Sequence, residues 1–285
     1  MPPRENPTAR QVRLGTELRK LRERAGKTAR EAAARVSTDQ AKISHIEAGR
    51  VGVSEERVRR LATFYSCSDE ALIEALCAIT REHRGQHWWD EYRGVLSPGF
   101  LDISELEHHA TALRSMQTVT IPGLLQTEAY ARALFGSGIP ELPTEELEAR
   151  LAHRMRRQLL LEGEDPPAFS AIIHEAALRM RFGGASTARA QLKCLMAACE
   201  RPRVTVRVVP FNSERFIEAA TQPVLYAVGC VPQLDTVQID SALGGSFLDS
   251  EADLERYRAL FTAAERAALS PEESLKFIHH VASES

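Results

Sequence analysis

The sequence predicts two domains of different class, a small all-α domain at the N-terminus followed by a larger α+β domain. Three observations predict it. The chain has 285 residues, too many for one small helical core and enough for two domains with cores of their own. Apolar residues up to about residue 66 recur at steps of three and four, the helical period, whereas Val204-Thr-Val-Arg-Val-Val209 is β-branched and alternates with polar residues. Charge is also divided. Residues 1–66 hold 15 Lys and Arg against 8 Asp and Glu, a net of +7, and the remainder carries −10. A basic head on an acidic body suits a head that binds nucleic acid and a body that does not wrap it.

Residues 1–9 are rich in Pro and charge and are expected to be disordered. The first helix starts at residue 10, and Leu14, Leu18 and Leu21 form its apolar stripe up to Gly26. Thr28 followed by Glu31 fits a capping box, so a second helix starts there and runs through Ala32 and Ala33, small enough for close helix packing. Ser37 falls in a short turn. Asp39 caps a third helix and Gly49 stops it. Ile43 and Ile46 share the inner face of this helix. Ala41, Ser44, His45 and Ala48 face outward, with Gln40 and Lys42 near the N-terminal end. A small, polar outer face suits a helix that enters a groove and bonds to base edges. A fourth helix over 54–64 closes the core with Val58, Leu61, Ala62 and Tyr65. Helix, short turn and helix with a reading face is the helix-turn-helix layout. The plainer alternative is a four-helix domain that binds no DNA.

Residues 14–65, and Ile43-Ser-His-Ile-Glu-Ala-Gly-Arg50 above all, resemble the Xre-type (Cro and lambda-repressor-like) helix-turn-helix domain. The chain departs from that pattern in Ala29, where many relatives have Gln, and in Ser37, where many have Gly. The resemblance implies double-stranded DNA as partner and a homodimer on a palindromic site, with half-sites about one helical turn (~34 Å) apart. Gln40, Ala41, Ser44 and His45 are the expected base-edge contacts. Gln11, Arg13, Thr28, Arg30, Lys42 and Arg50 are the expected phosphate contacts, Gln11 and Arg13 at a helix start where free N–H groups also attract phosphate. In the Xre pattern the positions of Arg22 and Glu47 carry a matching basic and acidic residue, which implies a structural ion pair between them.

Residues 67–87 read as a helical linker with Leu72, Ile73, Leu76 and Ile79 on a helix over 66–84, and 88–285 as the α+β domain. Trp88 and Trp89 are adjacent on a helical run and so face different ways, one into the core and one toward a pocket or interface. A helix is expected over 101–116, with Leu106, Ala110 and Leu113 on one face, and then an extended piece over 118–121 ended by Pro122 and Gly123. Helices are expected over 126–135 and 144–161, the latter with a basic patch at Arg154, Arg156 and Arg157. A strand over 169–173 and helices over 175–180 and 186–200 follow. Strands at 204–209, 223–228 and 236–239 precede closing helices at 251–269 and 271–282, with Ser270 as cap and Pro271 at the first position.

Within this body Trp88-Trp-Asp-Glu-Tyr-Arg-Gly94, Ile121-Pro-Gly-Leu-Leu-Gln-Thr-Glu-Ala-Tyr-Ala-Arg132, His174-Glu-Ala-Ala-Leu-Arg179, Gly244-Gly-Ser-Phe-Leu248 and Leu269-Ser-Pro-Glu-Glu-Ser274 occur in series. Together they resemble the domain of unknown function that follows an Xre-type head in many actinobacterial regulators. Such regulators are often encoded beside a small partner protein, in an arrangement likened to antitoxin and toxin. The resemblance therefore implies a small protein partner for the body.

No enzyme signature stands out. His83 and His87 have helical ligand spacing, but no acidic residue between them completes a zincin motif and Gly85 weakens the helix, so exposed histidines are expected. His108 and His109 are adjacent and point apart. His174-Glu175 has no accompanying nucleophile, and Glu175 is expected to cap a helix. Gly183-Gly184 and Gly244-Gly245 lack the following Lys of a P-loop and are read as turns. No cofactor or metal is expected. The loop over 211–220 is a candidate for partner or ligand contact. Five cysteines without a Cys-x-x-Cys pair, no signal peptide and no long apolar run suit free thiols in the cytoplasm, with no membrane. These features point to a transcriptional regulator whose body dimerises, binds a small protein, or both. A small-molecule-sensing regulator is the alternative, and an enzyme with a DNA-binding head is a third. Sensing predicts an enclosed cavity with converging polar groups, and protein binding an exposed apolar patch or cleft.

Overall fold

The structure is a computed structural model that describes residues 7–82, 85, 87–214, 222–241 and 244–284. The expectations for residues 1–6, for His83 and for 215–220 lie outside these. The chain divides into two compact units, Met1–Glu91 with Gly229–Asp235, and Tyr92–Val228 with Thr236–Ser285. The first is helical and the second a mixed domain with a six-stranded sheet.

The helical unit contains α1 (Ala9–Arg24), α2 (Ala29–Arg35), α3 (Gln40–Glu47), α4 (Glu55–Phe64) and α5 (Glu70–Arg81). Each starts at a side-chain cap: Thr8, Thr28, Asp39, Ser54 and Asp69 accept from a backbone N–H of the first turn. Thr8 with Gln11 and Thr28 with Glu31 form full capping boxes. In the turn between α2 and α3, Ser37 holds a left-handed conformation at φ 53°. Leu18, Ile43, Val58, Leu61 and Leu76 meet in one buried core. The stretch expected as a linker over 67–87 contributes α5 to that core, because the stripe of Leu72, Ile73, Leu76 and Ile79 is buried against it. Val231 and Leu234, remote in sequence, complete the same core. Trp88 and Trp89 open a 3-10 turn, Trp88–Tyr92, with their rings 83° apart. Trp89 is buried and stacks on His87 at 4.4 Å.

The second unit runs α6 (Pro98–His109), β1 (Ala112–Gln117), α7 (Glu128–Gly136), α8 (Thr144–Gln158), β2 (Ala168–His174), α9 (Glu175–Arg179), α10 (Ala185–Cys199) and β3 (Val204–Val209). It then continues with β4 (Val224–Val228), β5 (Thr236–Ser241), β6 (Gly244–Leu248), α11 (Glu251–Ala267) and α12 (Pro271–Glu284). Strand order is β3-β2-β1-β4-β5-β6. The pairs β1–β2 and β2–β3 are parallel and the other three antiparallel. Helices fill the parallel crossovers, as such connections require. The two faces of the sheet bury separate cores. Leu113, Ile173, Val208 and Leu225 face Tyr130, Leu195 and Ile278, whereas Met116, Ile172, Tyr226 and Val237 face Leu254 and Phe261 of α11. At the β3 edge Val208 donates to Ser274 Oγ at 2.9 Å and accepts from Leu269 N at 2.9 Å.

Several expectations for this unit are corrected. The helix expected over 101–116 ends at His109, and 112–117 is β1. Nothing in Ala-Leu-Arg-Ser-Met-Gln favours a strand locally; pairing on both sides imposes it. The extended piece expected over 118–121 is a bend. Gly244-Gly245 is the start of β6 and not a turn. Arg157 and Arg154 do not form an outward patch: Arg157 is buried in a bidentate pair with Glu107 at 2.8 and 2.6 Å, and Arg154 lines a cavity. The cap of α9 is His174, whose Nδ1 accepts from Ala176 N, and not Glu175. Buried Glu175 accepts instead from Phe211 N at 2.8 Å and Arg179 Nε at 2.6 Å.

Candidate nucleic-acid interface

α3 is two turns long. Ile43 and Ile46, three residues apart, anchor one side of it in the core. Gln40, Ala41 and Ser44 are exposed on the other side, and His45 is half-buried beside them. The structure therefore brings the four expected base-reading residues onto one face. Ser44 Oγ donates back to the Gln40 carbonyl at 3.2 Å, a bond that an exposed hydroxyl can exchange for a base edge.

Three features fix the angle of this helix. A Cβ on Gly15 would lie 2.5 Å from the Ile46 and Glu47 carbonyl oxygens, so only glycine lets α1 come this close to the end of α3. Gly49 turns the chain away at φ 71°, and a Cβ there would meet the Val12 nitrogen at 2.8 Å. The third feature is an ion pair. Arg22 Nε donates to Glu47 Oε1 at 2.6 Å and Nη2 to Oε2 at 2.9 Å, while Nη1 donates to the Lys27 carbonyl at 2.9 Å. The two side chains are 12 % and 9 % exposed. The bond to Glu47 holds the Arg22 guanidinium pKa above its ordinary value.

Among the expected phosphate contacts, Arg30 and Arg50 are exposed and Lys42 is half-buried, and none of the three has an ion-pair partner among the described residues. Their charge is not compensated by any described carboxylate. Thr28 and Gln11 are placed differently. The Thr28 hydroxyl donates to Glu31 at 2.7 Å, and Gln11 Oε1 accepts from Thr8 N at 3.3 Å, so both are committed to their caps. Arg13 departs from the expectation altogether. It is buried, bonded to the Gln233 main-chain carbonyl and 3.5 Å from Glu17, on the core side of α1. The role of Gly15 escaped the sequence reading. A glycine inside an amphipathic helix costs about 1 kcal/mol against Ala, and that local cost was the signal for a close backbone approach.

Among the described residues no group of three His, Cys, Asp or Glu is placed to hold a metal ion, and no helix is long and apolar enough to cross a membrane. The five cysteines are free thiols. Residues 13–76 match the family model of a helix-turn-helix domain. Residues 100–280 match that of a domain of unknown function, DUF5753. No curated protein and no solved structure matches the chain.

Proposed function

The chain belongs to the DUF5753 family and carries a helix-turn-helix domain ahead of the matched region, and on that footing we propose that it is a sequence-specific, DNA-binding transcriptional regulator. The observation that carries the reading is α3. Gln40, Ala41, Ser44 and His45 are presented together on a helix locked at its far end, with Arg30, Lys42 and Arg50 unpaired around it. Side chains of this kind read base edges in the major groove, and the flanking cations hold the backbone. The test is selection of duplexes from a random library by the full chain. One motif should be enriched, and a Gln40→Ala, His45→Ala double variant should lose the preference while keeping general affinity. Failure of the native chain to enrich any sequence would refute the proposal.

The finer reading is an Xre-type, antitoxin-like regulator of the cytoplasm that binds a palindrome as a homodimer, with a body that dimerises or binds a small protein encoded nearby. It rests on the motif series in the sequence. Sedimentation equilibrium and mass identification of a co-purifying small neighbour are its tests. No catalytic step forms part of the proposal. A second reading, ligand sensing, is favoured by one observation, a half-open cavity of about 640 Å³ lined almost entirely by the DUF5753 region.

A further inference from the structure

The cavity lies on the face of the sheet that carries Ser115 of β1, Leu225 of β4 and Gln238 of β5, with α6 and α8 contributing the opposite lining. Its volume is in the range of small-molecule sites, roughly 300–1,000 Å³. Three arginines of α8 line it at successive turns: Arg150, Arg154 and Arg157. Two are neutralised within the protein, Arg157 by Glu107 and Arg150 by Glu146. Arg154 is not. It donates from Nη1 to Gln126 Oε1 at 2.5 Å and lies 4.6 Å from the centre of the Phe135 ring, but it forms no ion pair with any described residue.

This guanidinium is deliberately held. Gln126 is itself fixed by a 2.7 Å bond from its Nε2 to the Ile121 carbonyl. Gly123 lies beside Arg154, where an added Cβ would stand in ordinary contact with the arginine side chain at 3.4 Å. The segment Ile121-Pro-Gly-Leu-Leu-Gln126 is thus a cradle for one cation. Burial, and then the charge of Arg157, lower the Arg154 pKa from its ordinary value, and the more distant carboxylates of Asp240 and Glu107 offset them only in part. A charge in this position is costly unless an opposite charge joins it. Two further donors are unspent. The Ser115 hydroxyl has no partner among the described residues, and the Gln117 amide nitrogen has none, its Oε1 being taken by Thr120. Ser115 and Gln117 stand two residues apart on β1, hence on the same face. Ile103, Leu134 and Leu225 supply apolar wall.

We propose that this cavity binds a small amphipathic monoanion, its carboxylate, sulfonate or phosphodiester group on Arg154 and its apolar body against Ile103, Leu134 and Leu225. Asp240, exposed and bonded to Gln238 at 2.5 Å, also lines the cavity but is not within ion-pair distance of Arg154. Its carboxylate opposes a second negative charge on the ligand. The inference deepens the ligand-sensing reading. Its test involves no DNA, so a chain that bound the probe but no duplex would defeat the regulator proposal alone.

The probe is 8-anilinonaphthalene-1-sulfonate, titrated into the full chain and followed by fluorescence, with neutral N-phenyl-1-naphthylamine as the comparison. One sulfonate probe per chain is expected. Arg154→Gln should weaken it at least tenfold and leave the neutral compound within twofold. Asp240→Asn, at an exposed position, should tighten the sulfonate at least twofold. A folded Arg154→Gln chain with native affinity for the sulfonate would overturn the inference. Where that variant does not fold, unchanged sulfonate affinity in Asp240→Asn would overturn it, and so would binding that never saturates at one probe per chain.

Discussion

Glu47→Gln isolates the charge that fastens the reading helix. The native pair is bidentate at 2.6 and 2.9 Å, with side chains 12 % and 9 % exposed. Removing one partner of a fully buried pair costs about 3–5 kcal/mol. Three details lower that figure here. Arg22 keeps its bond to the Lys27 carbonyl, and Glu23 stands 3.6 Å away on the solvent side. Gln also retains one acceptor. A cost of about 2 kcal/mol follows, near that of a charge-assisted hydrogen bond. For a unit of this size each kcal/mol corresponds to about 4–8 °C in melting temperature, so the head should melt some ~8–16 °C lower. The assay comes with the chain. Its two tryptophans, Trp88 and Trp89, both lie in the helical unit, so intrinsic tryptophan fluorescence of the full protein reports the head. A variant melting within ~2 °C of the native head would refute the reasoning, since a loss that small is what an exposed pair gives. Replacing both partners, Arg22→Met with Glu47→Leu, should recover most of the loss, because no buried charge is then left alone.

Other expected outcomes concern both units. Gly15→Ala should destabilise the head by more than about 1 kcal/mol although Ala is the better helix former by about that amount, because the new Cβ would stand 2.5 Å from two carbonyl oxygens; a head that melts higher, again by tryptophan fluorescence, would show that α1 can shift freely. Lys42→Gln and Arg50→Gln should each weaken binding to all duplexes alike and reduce the slope of log K against log salt by about 1, whereas a change confined to one sequence would make either residue a base reader. His153 gives a pH dependence. It is 1 % exposed, bonded to Ser104 at 2.9 Å, and burial followed by the Arg157 and Arg154 charges holds its pKa down to about 3 from an ordinary 6.5. The unfolded chain takes up a proton that the folded one refuses, so this stability is complete above pH 6.5 and is lost as pH falls toward 3. By pH 5 the loss is about 2 kcal/mol, and thermal melts followed by circular dichroism at pH 7 and pH 5 should show it in the native chain and not in His153→Gln.

The head was legible because its signals are local and agree. The Thr28–Glu31 box, the Asp39 cap, the Ile43–Ile46 step and the Gly49 stop each need only neighbours in sequence to act, and each is found. The outward face of α3 was readable as the remainder of that pattern. Arg13 was not, since only a distant carbonyl, that of Gln233, shows which way it turns. In the body the helices from 128 onward carry their own periods, but β1 has none. Its strand conformation is set by β2 and β4. β6 begins with two glycines and exists because β5 offers it an edge. Arg154 and Arg157 look alike in sequence to any exposed helical arginine, and the Glu107 and Gln126 that turn them inward lie on other elements.

The two borders of the sheet are unlike, and the difference has a consequence for how the protein behaves at high concentration. At β3 the outward N–H and C=O of Val208 are both spent on Ser274 and Leu269, and α12 packs against the strand. At β6 the backbone pairs with β5 on one side, and no described strand lies on the other. Unpaired strand edges are where polypeptides stack into fibres. A sheet with two open borders can extend without limit, each newcomer offering the next a place. A border closed at Val208 and covered by α12 hinders that chain of additions, because two molecules that join through β6 present only their β3 borders outside. Strand-to-strand association through β6 is therefore expected to stop at a pair, which sedimentation at rising concentration checks.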